Sequence, residues 1–552
     1  KVGQNPVNTS IFFDSASKQE EEIFNHFVAN NPKVFQKELI AVWSSRVSKG
    51  VRDWFEIRIE LASSGWDINI MSNSVSAFRA SLNHLRGLLE GEMESGVHRS
   101  EAAFEIRGVI EGFYGKPWSH EQRLKGLQYF ADCNMNHFML APKDDPWQRF
   151  DWRVPFKEEF LNQVQILHKS AELNGITLSV SLSPGLTVSY SDPNDVKAIM
   201  VRYEQLYKVG VRHFGLLVDD IPWELQHEED IRRFASIADA HANYANEIYS
   251  QLQKIESGLR LSVCPLVYRG RGTEPYIVTL GNSLAGAIDL MWTGRQICSE
   301  YLDSVDAIAF KKTTSKRPFY WDNYPVNDVG MINELHVGPI TGRQADLGEY
   351  SAGLLANPMD RFELSLIAIG TIGDYLWDSK NYDSEKSWFT TMKRLVQNTE
   401  DREAISRVFR CSFGSCLAQA QAPEFSAMLD SAKYAWRTKS MELGLQILTA
   451  AANEMRADVE RILSPDFSMN EWRSEALPWI KKYGDGEKAL RGIIEVLSSA
   501  HPTKEGRLSA PAGSREKIWE IWNSLAENQT RLFGDSFILF VGELAAEIAD
   551  RN

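Results

Sequence analysis

The sequence predicts an α/β protein built on a (β/α)8 TIM-like barrel, with a small α+β domain before it and a helical bundle after it. Three observations lead there. Short apolar, β-rich runs recur every 25 to 45 residues from about residue 105 to 395, each followed by a helical segment. Eight such runs over about 280 residues match the count and size of a closed barrel. Each run also ends in a short polar or aromatic cluster, as barrel strands do where they open onto a site.

The first 104 residues alternate strand-like and helix-like patterns. "FEIRIELASSGWDINI" (Phe55–Ile70) reads as a hairpin, and "SVSAFRASLNHLRGLL" (Ser74–Leu89) as an amphipathic helix with apolar residues at three- and four-residue spacing. The barrel domain is expected over residues 105–395. Its strands are Glu105–Ile110, His137–Ala141, Thr177–Leu182, His213–Val218, Arg260–Pro265, Ile288–Trp292, Pro318–Trp321 and Gly353–Asn357. A doubly wound open sheet is the competing architecture, but it wants a phosphate loop after its first strand. "GVIEGFYG" lacks the GxGxxG spacing. Residues 396–552 carry no strand pattern; Ser440–Leu463 and Arg515–Phe533 have helical periodicity, and "SAPAGS" (Ser509–Ser514) reads as a loop.

Composition removes several classes. Hydrophobic residues at 43% and charged residues at 24% fit a globular protein of several domains. A net charge of −14 without any basic stripe argues against nucleic acid. No run approaches the roughly 18 apolar residues of a membrane span, so no membrane insertion is expected. Sixteen Trp, 17 Tyr and 27 Phe are a generous aromatic content, for which an aromatic-lined cleft is one use. Cys133, Cys264, Cys298, Cys411 and Cys416 are scattered; only Cys411 and Cys416 are placed to pair, and no zinc spacing exists. The sequons at Asn8 and Asn528 are of a kind common by chance. The chain opens at Lys1 rather than Met, and the expectation is a trimmed N-terminus.

The strand ends carry the chemistry. They present Glu111 to Gly115, then Pro142 to Asp145, Ser183 to Gly185, Asp219-Asp220, Tyr268, Trp292 to Gly294, Asp322-Asn323 and Asn357-Pro358. Carboxylates and amides grip hydroxyls while aromatic faces take C–H surfaces, so the combination suits a sugar. Adjacent strand residues face opposite sides, so Asp219 and Asp220 both reach a barrel pocket only if the strand bends at its end. Two carboxylates in unlike surroundings then give one ionised group and one proton donor. A solvated turn is the bland reading of the same pair. Lys143 as a Schiff-base lysine, and Asp144-Asp145 with Asp219-Asp220 as a divalent-metal site, are the other chemical readings. No histidine follows these strands to complete such a metal site, and Asp144-Asp145 read more readily as structural.

Seven motifs then identify a resemblance. "RGVIEGFYGKPWSHEQR", "APKDDP", "FGLLVDDI", "CPLVY", "MWTG", "WDNYPVND" and "ANPM" stand in the order and spacing of family 84 glycoside hydrolases, the O-GlcNAcases or β-N-acetylglucosaminidases. The resemblance covers the barrel strongly and the flanking domains weakly. It implies a retaining exo-β-N-acetylglucosaminidase using substrate-assisted catalysis, in which the sugar's 2-acetamido oxygen forms an oxazoline. In that scheme Asp219 orients the acetamide through its N–H, and Asp220 is the general acid and then the general base. Tyr268 is implied as the donor to the acetamide oxygen, Trp321 as the wall of the acetyl pocket, and Asn323 as a contact to the acetamide or a support for Asp219. Asp328 and Asn357 are implied at O4 and O6, and Gly112 and Lys143 at O3.

The resemblance implies no cofactor and no metal. Its expected partners are GlcNAc-bearing glycoproteins, the sugar being removed from serine or threonine. Secreted glycans, mucins or hyaluronan-type oligosaccharides are the alternative substrates, and a non-catalytic GlcNAc-binding protein is the alternative class. A monomer or weak homodimer is expected, with an exported bacterial location favoured over the cytoplasm.

Overall fold

The computed structural model describes residues 11–14, 17–32, 40–47, 50–63, 65–91, 94–413, 422–438, 440–503 and 507–550. The sequon at Asn8 and the cysteine Cys416, with its expected pairing to Cys411, lie outside them. Two compact units emerge: Lys1–Asn323 with Gly342–Pro358 and Ile372–Tyr382, and Tyr324–Thr341 with Met359–Thr371 and Asp383–Asn552.

The first unit begins with a five-stranded mixed sheet of β1 (Ile11–Asp14), β2 (Ile40–Arg46), β3 (Trp54–Ala62), β4 (Gly65–Ser72) and β5 (Gly96–Glu101) in the order β1-β2-β4-β3-β5. The predicted hairpin is the antiparallel pair β3 and β4. The predicted amphipathic helix is Val75–Glu90, one residue late because Ser74 is its N-cap and accepts the Ala77 N–H. Phe78, Leu82 and Leu85 of that helix, with Ile23, Phe24 and Phe27 of the helix Lys18–Asn30, bury Ile57, Ile59, Ile68 and Ile70 of the sheet. A buried ion pair ties this layer to the barrel: Arg107 donates to Asp53 at 2.6 Å, and Asp53 also accepts from Ser74 and Ser76.

The barrel is closed by eight parallel strands: β6 (Ile106–Glu111), β7 (His137–Leu140), β8 (Thr177–Leu182), β9 (His213–Leu217), β10 (Arg260–Cys264), β11 (Asp289–Trp292), β12 (Pro318–Asp322) and β13 (Gly353–Ala356). β13 pairs with β6 to complete the ring. Each boundary falls within one residue of its predicted position. The signal was strong because helices cover the outside and side chains fill the inside, so nearly every strand residue is buried and most are apolar. Ile110, Met139, Leu217, Cys264, Met291, Phe319, Trp321 and Leu355 share the interior cluster. Side chains cap the helix starts: Ser119 and Gln122 form a capping box on His120–Asp132, and Asp145, Asp192, Ser236 and Asp303 cap four others.

The second unit is largely helical. Its core gathers Trp388, Phe409, Trp472, Trp479, Tyr483, Leu490, Phe533 and Val541. Two expectations are corrected here. A small sheet of β14 (His501–Pro502), β15 (Leu508–Ala510) and β16 (Ile548–Asp550) interrupts the helices, so "SAPAGS" is partly strand. Strands of two or three residues are too short to show a period. The helix expected to reach Phe533 runs from Ser514 to Glu527 instead. There the Asn528 side chain accepts the Thr530 N–H at 3.1 Å and turns the chain away.

Candidate active site

The site forms where β9 stops. Phe214 to Val218 are buried, and the Val218 N–H still bonds the Cys264 carbonyl at 2.9 Å. The chain then bends: Asp220 takes φ of +53°, in the left-handed region, while Asp219 stays buried at 4% exposure. That conformation is unfavourable by about 1–3 kcal/mol for most residues and mildest for Asp and Asn. Arg149 holds it by donating to the Asp220 carbonyl at 2.8 Å. The bend is the device the sequence called for, placing one carboxylate low and buried and its neighbour high and exposed.

Asp219 is half-satisfied. Its Oδ2 is ion-paired with Lys143 Nζ, both side chains being almost fully buried. Its Oδ1 is buried and accepts no N–H or O–H among the described residues, the Cys264 thiol being a weak donor beside the same carboxylate. A buried acceptor left open is costly unless a ligand completes it. Burial pulls the Lys143 ammonium down, but Asp219 together with the other acidic groups around it, Asp220 among them, outweighs that and raises it above the ordinary lysine value. A Schiff-base lysine needs the opposite shift, so Lys143 serves here as a fixed cation. It also lies 5.5 Å from the centre of the Trp321 ring. The Cys264 thiol is pushed up by burial and then by the charge of Asp219.

Asp220 is held from two sides. The Tyr114 hydroxyl donates to Oδ2 at 2.9 Å and the Tyr268 hydroxyl to Oδ1 at 3.2 Å. Tyr114 in turn accepts from Arg149 at 2.8 Å. Burial raises both phenols, and the Asp220 carboxylate adds to the rise, so both remain donors at neutral pH.

A second group lies across the barrel mouth. Trp321 Nε1 donates to Asn323 Oδ1 at 2.9 Å, and Asn357 Nδ2 donates to the same oxygen at 3.0 Å. Asn323 Nδ2 is spent on the Ile297 carbonyl at 2.8 Å, so Asn323 orients Trp321 and Asn357. Asn357 Oδ1 accepts the Gly112 N–H at 3.2 Å. Gly112 must be glycine for a packing reason: a Cβ there would fall onto the Trp321 ring. Among the sequence candidates, β6, β7, β9, β10, β12 and β13 thus carry Gly112, Lys143, Asp219, Asp220, Tyr268, Trp321, Asn323 and Asn357 at or just past their carboxyl ends. Asp328 belongs to the second unit, where it is half-buried and its carbonyl accepts the Met331 N–H at 2.9 Å.

Several contributors had no assigned role in the sequence. Tyr114 was visible only as one residue of the "GFYG" cluster, and Arg149 carried no signal, since its partners lie 35 and 71 residues away. Glu111, fully buried at the end of β6, receives two bonds from Arg123 at 2.7 and 2.8 Å and the Trp118 N–H at 3.0 Å. Asp322 makes a similar buried fork with Arg343 at 2.5 and 2.9 Å. These struts fix the turns after β6 and β12. Asp144 accepts the Gly115 N–H at 2.8 Å and Asp145 caps the helix Pro146–Arg149, so both have structural bonds. Among the described residues no cluster of three His, Cys, Asp or Glu side chains is arranged to hold a metal ion.

Comparison with known proteins points one way. A family model described as beta-N-acetylglucosaminidase matches residues 107–410. Protein O-GlcNAcase of Rattus norvegicus is 31% identical over 310 residues, covering 54% of this chain and 33% of that protein. The Mus musculus protein of the same name matches equally. The chain therefore spans about a third of the length of these relatives. A mutant O-GlcNAc hydrolase of Thermobaculum terrenum superposes with a TM-score of 0.74 at 28% identity, over 80% of this chain and 95% of that one. The structure of CpGH84B shares the fold at a TM-score of 0.81 and 22% identity, covering 99% and 98% of the two chains.

Proposed function

Because the chain belongs to the beta-N-acetylglucosaminidase family, family 84 of the glycoside hydrolases, we propose that it is a retaining exo-β-N-acetylglucosaminidase acting by substrate assistance, without metal or cofactor. Its proposed substrates are GlcNAc-bearing glycoproteins, with the sugar on serine or threonine. The observation that carries this reading is the unlike pair at the end of β9: a buried Asp219 with one open acceptor, beside an exposed Asp220 held by two phenols.

The open Asp219 Oδ1 accepts the acetamide N–H and turns the acetamide oxygen toward the anomeric carbon. Lys143 keeps the charge on Asp219 compensated in a buried setting. The acetamide oxygen attacks as the glycosidic bond breaks, and Asp220 gives its proton to the leaving oxygen. Asp220 then takes a proton from water, which opens the oxazoline and leaves the configuration retained. Tyr268 transfers its hydrogen bond from Asp220 to the acetamide oxygen, and Trp321 lines the acetyl pocket. Gly112, Lys143, Asp328 and Asn357 are assigned to the ring hydroxyls by the resemblance. The reading keeps three domains, 1–104, 105–395 and 396–552, with the chemistry confined to the second.

Hydrolysis of 4-methylumbelliferyl β-N-acetylglucosaminide and of the matching glucoside tests this. Asp219→Asn and Asp220→Asn are each expected to lose a factor on the order of 10² to 10⁴ on the first substrate. The wild type should leave the glucoside intact. Cleavage of the glucoside, or an unimpaired Asp219→Asn, would refute neighbouring-group catalysis.

A further inference from the structure

Tyr268 has the most demanding task in the mechanism above, since its one hydroxyl proton must serve Asp220 and then the acetamide oxygen. That hydroxyl lies 3.2 Å from Asp220 Oδ1. A misplacement of about 1 Å can lower a rate by about 10²-fold, so whatever holds the turn from Cys264 to Tyr268 bears on turnover. Backbone bonds hold its two ends: the Cys264 carbonyl accepts the Val218 N–H at 2.9 Å, and the Tyr268 carbonyl accepts the Thr293 N–H at 2.8 Å. A side chain holds the middle. There the Leu266 N–H donates to the Tyr276 hydroxyl at 3.1 Å.

Tyr276 is the first link of a longer chain. It stands at the start of the helix Pro275–Ser283, and its hydroxyl lies 2.7 Å from Nδ1 of His241, on the helix Ile237–Ile255. His241 Nε2 lies 2.8 Å from the hydroxyl of Tyr190, in the loop after β8. The Tyr190 N–H donates to Asp230 at 2.9 Å. Asp230, fully buried on the helix Glu228–Arg233, also accepts the Ser191 N–H at 2.7 Å. Segments that follow three consecutive strands, β8, β9 and β10, are thus joined through one imidazole. His241 is buried, and burial pushes it down to about 3, so the ring is neutral. A neutral imidazole donates at one nitrogen and accepts at the other, which lets it join two phenols. Burial raises the Tyr190 and Tyr276 phenols as well, so neither ionises near neutral pH. The chemistry above uses none of the three groups.

We propose that His241 and Tyr276 are positioning residues for the reaction, fixing the Tyr268 hydroxyl through the Leu266 N–H. The inference rests on the glycosidase reading above and on the role given there to Tyr268.

The test is a double-mutant cycle in kcat/KM on 4-methylumbelliferyl β-N-acetylglucosaminide, with urea unfolding run beside it to fix conditions in which each variant is folded. Tyr276→Phe keeps the ring and removes the hydroxyl, and should lower kcat/KM about tenfold. In a Tyr268→Phe background the same change should cost less than about twofold, because the hydroxyl it positions is already gone. His241→Leu should follow Tyr276→Phe in both backgrounds. His241→Gln, whose amide still donates and accepts, should recover much of the loss. The cycle on Tyr276→Phe stands whether or not His241→Leu folds. A chain that only stabilises the fold predicts the same loss with and without the Tyr268 hydroxyl, or no loss in folded protein, and either result would overturn the inference. A Tyr268→Phe enzyme as active as the wild type would remove the role of Tyr268, and this inference with it, while leaving the glycosidase reading in place. A wild type that does not cleave the substrate would refute that reading itself.

Discussion

Arg123→Met isolates the strut beneath the site. The Glu111 side chain has no exposed surface, and Arg123 supplies two of the three bonds its carboxylate receives. Removing one partner of a buried pair strands the other charge and costs about 3–5 kcal/mol. Burial already raises Glu111 above the ordinary glutamate value, with Arg123 pulling it back, so loss of Arg123 raises it further. A carboxyl whose folded-state pKa exceeds its unfolded value contributes stability at low pH and loses it as pH rises. The deficit of the variant is therefore larger at pH 8 than at pH 6, by up to about 2.7 kcal/mol at 1.36 kcal/mol per unit. Urea unfolding followed by tryptophan fluorescence at the two pH values measures it. Adding Glu111→Gln removes the stranded charge while keeping an acceptor for Trp118, so the double variant should be more stable than the single one at pH 8. A double variant no better than the single, or a deficit below about 1 kcal/mol at pH 8, would refute the reasoning.

Three further outcomes are expected. Gly112→Ala drives a methyl into Trp321, and overpacking of about 1–3 kcal/mol should displace the ring and raise KM about tenfold, measurable in steady-state kinetics. Tyr114→Phe removes a donor to Asp220 and the acceptor for Arg149, so it should slow poor leaving groups by about tenfold while sparing very acidic ones. Glu475 accepts the Glu363 and Leu364 N–H groups at 3.2 and 3.0 Å, and burial pushes it up to about 7. Its contribution is complete below about pH 4.5 and is lost as pH rises through about 7. Glu475→Gln should therefore stabilise the protein at pH 8 and not at pH 5. The gain should stay under about 3 kcal/mol, since the carboxyl is partly open to water, and a urea midpoint unchanged at pH 8 would count against it.

The barrel was legible because parallel strands covered on both faces must be continuous apolar runs, and their polar ends mark the site by position alone. The N-terminal hairpin and helix were legible for the same local reason, alternation in one and three- and four-residue spacing in the other. The C-terminal sheet was not, because β15 pairs with β14 and β16 through backbone bonds that leave no pattern in three residues. The helix end at Glu527 depended on one side-chain turn at Asn528, below the resolution of periodicity.

What the sequence by itself determined is the set of strand-end residues, since which residue follows each apolar run is a matter of order along the chain. That Asp219 and Asp220 are adjacent, and that they need a bend to serve one pocket, follows from the two-residue period of a strand. Only the tertiary structure decided which carboxylate is buried and which exposed, because that depends on φ at Asp220 and on Arg149, 71 residues away, bonding its carbonyl. It likewise decided that Lys143 serves Asp219, that Asn323 serves Trp321 and Asn357, and that Trp223 is left in water while Ile221 is buried. Partnership across a barrel mouth is set by closure of the ring, and closure brings together residues whose separation along the chain carries no trace of it.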